Sequence, residues 1–233
     1  MYGISGMLHA QTIERLYLLP GQGSDHRIYS HIQFPADVDT VHLHFLTPEP
    51  QETMEQYALR MSKQVDTTLP YAFMGVSLGG MVSMEMAEIL HPQKVILISS
   101  ASSAEEVPEL YTFFRTYPVY QYLPAGLFKY STYLLQPLYE PDRSKERKTC
   151  NSMIGDKDAL FMKQAVGLIV TWDRREAENA DIPLIQIHGS ADHTLPLHQI
   201  TADHIVQDGS HMMTLTRPEE VSRAITAALL SPQ

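Results

Sequence analysis

Cysteine is almost absent from this 233-residue chain, which holds only Cys150. A lone thiol closes no internal disulfide and cannot by itself build a cysteine-based structural zinc site. A secreted, disulfide-stapled scaffold is therefore excluded, and a reducing compartment is compatible. Basic charge is also scarce. With 17 Lys and Arg against 27 Asp and Glu, the formal net charge is -10, a field that repels phosphate backbones and anionic membrane surfaces. The expected partner is a small molecule, with no nucleic acid and no membrane insertion. Long hydrophobic runs are missing too, since polar residues interrupt every apolar stretch before the ~18 residues that a membrane-spanning helix needs. Met1 to Arg15 lacks the basic leader and apolar stretch of a secretory signal, so the expected location is cytoplasmic. Hydrophobic residues make up 44% and charged residues 19%, a globular composition that excludes disorder. The length suits one core with an attached segment.

What is present is an alternation of short apolar runs and helical patterns, the mark of parallel strands buried on both faces and joined by crossover helices. The expected strands are Arg15 to Leu19, Val41 to Phe45, Tyr71 to Val76, Lys94 to Ser99, Pro183 to His188 and Asp203 to Val206. Helices are expected over Thr53 to Leu69, where Met54, Tyr57, Met61 and Val65 form one stripe, over Leu78 to Leu90, and over Pro218 to Leu230, which opens on a proline suited to a first turn. The stretch from Ala104 to Ala180 breaks the rhythm. It has no clear strand, and its many tyrosines and phenylalanines, from Tyr111 to Tyr139, lie among Pro118, Pro124 and Pro137, which are expected to cut it into short helices. Most of these aromatics are expected to pack the insertion against the core.

Gly75-Val76-Ser77-Leu78-Gly79 falls where the third strand gives way to a helix, the context in which a G-x-S-x-G pentapeptide has mechanical meaning. A serine at such a turn is held in a strained backbone conformation that lifts its hydroxyl clear of the sheet, and flanking glycines let strand and helix approach. A serine hydroxyl needs a histidine to take its proton and a carboxylate to orient that histidine. Asp192 lies in a tight loop after the fifth strand and His211 in the loop after the sixth, and an open parallel sheet gathers such loops at the carboxyl ends of its strands. Ser77, Asp192 and His211 are therefore expected to converge. Asp208 is the runner-up acid, ahead of Asp25 and Asp173. A metal cluster of His188, His193 and His198 with Asp192 is a weaker alternative, because no helical H-E-x-x-H pattern exists. Acyl transfer also needs donors for a developing oxyanion. The Leu78 N–H is one candidate, and the Gln22 N–H, in the glycine-flanked loop after the first strand, is the other.

With PGQG after the first strand, GVSLGG, HGSADHTLP and DGSHMM, the chain resembles the α/β-hydrolase superfamily over nearly its whole length. The resemblance implies an α/β-hydrolase fold, with a mostly parallel sheet of about six strands flanked by helices. Residues 1–103 and 181–233 would form the core, and 104–180 a helical cap inserted before the last two strands. It implies a Ser77 nucleophile, an Asp192 acid, a His211 base and an oxyanion hole from Gln22 and Leu78, with no cofactor and no metal, in a monomer or homodimer. The expected function is a serine hydrolase that cleaves an ester-like bond of a small or medium, largely apolar substrate through an acyl-enzyme. The alternatives are a carbon-carbon hydrolase, lactonase or lyase with the same three residues, or a non-catalytic ligand-binding protein. The chain departs from the family pattern in three places. Pro20-Gly21 replaces the usual His-Gly. Only 19 positions separate Asp192 from His211, so a single turn around Leu195 to Ile200 is expected between them. The amino terminus leaves little room for an opening strand pair.

Overall fold

The computed structural model describes residues 12–139, 143–179 and 181–231, with the side chains at 112, 137–139 and 143 outside that description. The expectation for the extreme amino terminus and that for the Tyr139 ring fall outside it. Six strands form one sheet: β1 (Arg15–Leu19), β2 (Asp39–His42), β3 (Tyr71–Val76), β4 (Lys94–Ile98), β5 (Leu184–Gly189) and β6 (His204–Val206), in the order β2-β1-β3-β4-β5-β6. Every neighbouring pair is parallel. The alternation of side chains along a strand divides the core in two. Tyr17, Leu19, Phe73, Val95 and Leu97 join the cluster on one face, and Leu16, Leu18, Met74, Ile96 and Ile98 join the other. Both faces are thus dry, which is why these strands read as unbroken apolar runs.

On the first face lie α1 (Met54–Met61) and α2 (Leu78–Leu90), and on the second α8 (Pro218–Leu230). Thr53 and Gln56 form a reciprocal capping box at the start of α1. The stripe predicted to continue to Leu69 ends early, in a 3-10 turn over Ser62–Gln64. Beyond it Val65 is extended. The Asp66 backbone exchanges hydrogen bonds with the Tyr17 hydroxyl at 2.8 and 2.9 Å, and the Asp66 side chain accepts the Thr68 N–H. The distant Tyr17 hydroxyl and the local Asp66–Thr68 turn together end the helix. At the sheet edge, β2 starts earlier than expected, where the Asp39 N–H reaches Glu14 O, and ends earlier because the Gln64 side chain takes over pairing with the His44 backbone. Lys94 is buried beneath α8, where its ammonium donates to Ala228 O, Ser231 O and Ser231 Oγ and closes the helix terminus.

Between β4 and β5 the described residues contain only helices: α3 (Glu109–Thr116), α4 (Ala125–Tyr139), α5 (Arg143–Asp156) and α6 (Ala159–Thr171), with short 3-10 turns. Pro118 and Pro124 punctuate this stretch as expected, whereas α4 runs through position 137 and ends two residues later. A proline in a last turn disturbs little of the ladder behind it. The aromatics divide: Tyr120 is buried and Tyr111 and Phe128 pack against the core as expected, whereas four others turn outward. Phe113, Tyr117, Tyr122 and Tyr130 are exposed rather than packed on the core. The anchor is instead α6, whose Phe161, Met162, Ala165, Leu168 and Ile169 enter the main core cluster with Trp172. Trp172 Nε1 donates to the buried Glu85 carboxylate of α2 at 2.7 Å, and Arg174 pairs with Glu88 at 2.6 Å. Burial pushes the Glu85 pKa up, although the Trp172 hydrogen bond and Arg174 oppose it. A final α7 (Met213–Thr216) precedes α8.

Candidate active site

Ser77 sits between β3 and α2 with φ 53° and ψ -123°. A non-glycine residue held there costs about 1–3 kcal/mol and persists only when its surroundings over-determine it. They do so here: the Ser77 N–H donates to Ile98 O at 3.1 Å, and Ser100 Oγ donates to Ser77 O at 2.7 Å. Two glycines make the turn feasible. A Cβ at Gly75 would stand 2.2 Å from the Gly79 carbonyl carbon, and one at Gly79 would stand 2.4 Å from Leu19 O.

Asp192 follows β5 in a turn closed by its own N–H on Gly189 O. Its Oδ1 accepts the Thr194 and Leu195 N–H groups at 2.9 Å each. Its Oδ2 lies 2.8 Å from His211 Nδ1. The loops after β5 and β6 are stitched backbone to backbone, Ser190 N–H to Val206 O and Ala191 N–H to Gly209 O, and a Cβ on Gly189 would strike Gly209 O at 2.2 Å. That contact lets 19 positions suffice between Asp192 and His211, with one 3-10 turn at Leu197–Gln199. Burial would raise the Asp192 pKa, but the charge and hydrogen bond of His211, then His188 and the Leu195 amide, bring it below its ordinary value. A carboxylate only accepts, so His211 carries its proton on Nδ1 and leaves Nε2 as an acceptor.

The other candidates are placed elsewhere. Asp208 is exposed, its N–H on Ser190 Oγ. Asp25 caps the 3-10 turn His26–Tyr29 and pairs with Arg27. Asp173 is exposed, as are His193 and His198. His188 turns inward: its Nε2 is 2.8 Å from Leu195 O and 3.4 Å from Asp192 Oδ2. Burial holds its pKa below the ordinary value, against the pull of Asp192, and its Nε2 hydrogen bond goes to Leu195 O beneath the carboxylate. Sequence reasoning weighed His188 only as a metal ligand. A buried position at the end of a strand, four residues before the acid, was the available signal. Ser100 had no signal at all.

Gln22 lies in the loop after β1, where the Gly21 N–H is held by Ser24 Oγ at 2.8 Å. The Gln22 side chain reaches α6, donating to Met162 O at 2.7 Å. Neither the Gln22 nor the Leu78 N–H meets an acceptor among the described residues. Ser77, His211 and Gln22 open onto one cavity of about 510 Å3, roofed by α3, α4 and α6 through Tyr111, Phe128 and Ile169.

The sequence profile described as the alpha/beta hydrolase family matches residues 8–224. The chain belongs to that family. Among solved structures, this alpha/beta hydrolase is similar to the enol-lactonase from Burkholderia xenovorans LB400, with TM-score 0.72 and 15% identity over 96% of this chain and 94% of that one. It is also similar to MenH from S. aureus, with TM-score 0.73 and 14% identity over 94% of each chain. A third is a lipase-esterase related protein from Clostridium acetobutylicum ATCC 824, with TM-score 0.68 and 15% identity over 93% and 95%. At these identities the likeness is one of fold. Among curated proteins, none matches the chain of this hydrolase. No helix among its described residues is long and apolar enough to cross a membrane.

Proposed function

We propose that this alpha/beta hydrolase is a serine hydrolase that cleaves ester-like bonds of small or medium, largely apolar substrates through an acyl-enzyme. The observation that carries the proposal is the 2.8 Å contact of His211 Nδ1 with Asp192, at a cavity shared with a serine held at φ 53°. Ser77 Oγ attacks the carbonyl carbon while its proton passes to His211 Nε2. The unspent Gln22 and Leu78 N–H groups receive the developing oxyanion, and the amino end of α2 adds its dipole there. Collapse breaks the bond to the alcohol, which leaves with the proton from His211. Water then attacks the acyl carbon, gives a proton to His211, and the carboxylic acid departs as Ser77 recovers its hydrogen. No cofactor enters this sequence.

The test is hydrolysis of p-nitrophenyl esters from acetate to decanoate by the wild type and by Ser77→Ala, with fluorophosphonate labelling mapped by mass spectrometry. Labelling at Ser77 and loss of turnover in the variant are expected. A folded wild type that neither labels nor turns over any ester would overturn the proposal and favour a ligand-binding role.

A further inference from the structure

His193 and His211 are the basic side chains of the cavity wall. Among the described residues lining it there is no Asp, Glu, Lys or Arg. An ammonium on the substrate would leave water without a counter-ion, and a carboxylate would meet no Lys or Arg, only the imidazoles of exposed His193 and of His211, which Asp192 already holds; burying either charge is costly unless it is paired. The surrounding chain, at -10, gives an anion no compensating field.

The wall is not uniformly apolar, however, and most of its polar groups are already committed. Gln22 Nε2 donates to Met162 O, Ser24 Oγ is engaged with Gly21, and the Ser131 and Thr132 hydroxyls both donate to Phe128 O. Gln136 differs. It is only 7% exposed, it lines the cavity, and its amide makes no hydrogen bond among the described residues. Its direction follows from helical spacing: Phe128, Thr132 and Gln136 recur every four residues along α4 and all line the cavity. A nearly buried amide with no protein partner loses hydrogen bonds when an apolar ligand displaces the water beside it, and regains them from a ligand group that can donate or accept.

We infer that the substrate is an uncharged ester bearing a second, neutral hydrogen-bonding group, such as a hydroxyl, ether, amide or ketone, which the Gln136 amide holds. Gln136 is thus a specificity-determining residue. The inference rests on the serine-hydrolase proposal for the reaction and adds the class of molecule.

The experiment compares three p-nitrophenyl ester series matched in length: plain alkanoates, chains ending in hydroxyl or methoxy, and chains ending in carboxylate. At the best-fitting length the neutral polar ester should exceed the alkanoate in kcat/KM by about tenfold, the scale of one hydrogen bond to an otherwise unpaired group. The carboxylate ester should fall at least tenfold below the alkanoate. Gln136→Leu should abolish the preference for the polar chain, bringing the alkanoate up towards the polar ester because no amide is then left unpaired. Calorimetric binding of the corresponding methyl ketones, with and without the terminal hydroxyl, needs no turnover and should show the same tenfold preference and its loss in Gln136→Leu. Failure of labelling and hydrolysis would count against the serine-hydrolase proposal. Equal binding of the two ketones, a preference that survives Gln136→Leu, or a carboxylate ester as the fastest substrate would overturn the assignment of Gln136 and of a neutral substrate.

Discussion

Asp192→Asn is the most informative single perturbation, because the three groups hydrogen-bonded to this carboxylate are all donors. Thr194 and Leu195 N–H meet Oδ1, and His211 Nδ1 meets Oδ2. Carboxamide offers one oxygen and one NH2. With its oxygen toward the two backbone N–H groups, the NH2 faces His211, which must then present a bare Nδ1 and move its proton to Nε2. That tautomer cannot take a proton from Ser77. With the amide reversed, His211 keeps its tautomer, but two buried N–H groups lose their acceptor at about 1–3 kcal/mol each. The first arrangement is therefore preferred. Loss of the correct tautomer in serine–histidine catalysis lowers kcat about 10⁴-fold, equivalent to about 5.4 kcal/mol of barrier at about 1.36 kcal/mol per decade. Folding should survive, because neutral hydrogen bonds replace charge-assisted ones of roughly twice the strength. A loss of about 1–2 kcal/mol, or some 2–8 °C in Tm for a chain of this size, is expected. Ester kinetics at pH 8 with a parallel melting curve measure both quantities. A folded Asp192→Asn variant with kcat within tenfold of wild type would refute the assignment of His211 orientation to Asp192.

Gly75→Ala forces a Cβ to 2.2 Å from the Gly79 carbonyl carbon, so the strand and α2 must part; a loss of about 3 kcal/mol in urea titration is expected, and a loss under about 1 kcal/mol would contradict the close packing. His188→Gln should flatten the acid limb of the stability profile. His188 is held neutral by burial below its ordinary value of 6.5, so its contribution is complete above that pH. As pH falls from 6.5 towards its folded value, the unfolded chain binds the extra proton and stability drops by up to about 1.4 kcal/mol per pH unit. His42, also lowered mainly by burial, has the same sign, so the slope should shrink without vanishing; identical urea midpoints against pH in both proteins would refute this. Trp172→Phe leaves the buried Glu85 without its indole donor, and a stability loss of about 1–3 kcal/mol, read as a melting temperature lower by about 2–12 °C, is expected, whereas an unchanged one would mean that this tie contributes nothing.

The six parallel strands were legible because both faces of the sheet are dry, so Leu16 to Leu19 and Val95 to Ile98 read as continuous apolar runs. The α2 and α8 boundaries were legible because the Gly-Ser turn and Pro218 mark their starts. Elements whose ends are decided by distant partners were not. Nothing near Met61 announces that Asp66 will pair with Tyr17, and nothing near His44 announces Gln64. Ser77, Asp192 and His211 could be singled out because chain order and strand ends place their loops at one edge of the sheet. Of the groups behind them, His188 under Asp192 was marked only by its place at a strand end four residues before the acid, and Ser100 on the Ser77 carbonyl depends on a contact that no local pattern encodes. The outward turn of Phe113 and Tyr130 was hidden for the same reason, since aromatic content does not specify which side of a short helix meets the core.

The position of the helical segment has a consequence for how such a chain can diverge. β4 and β5 are neighbours in register, Val95 beside Leu184, yet residues 99–183 intervene. Closing so long a connection costs entropy that grows only logarithmically, about 0.6 kcal/mol for each doubling of its length. Insertions and deletions in α3 to α5 therefore change the thermodynamics of the sheet little while redrawing the roof over Ser77. The same geometry sets an order on synthesis. The serine turn and the four strands around it are complete once Ile98 has left the ribosome, with the β4 edge open, and Asp192 and His211 arrive only with the loops after β5 and β6. Until β5 docks, a nascent chain of this design carries an unpaired parallel edge at β4 that other chains can meet.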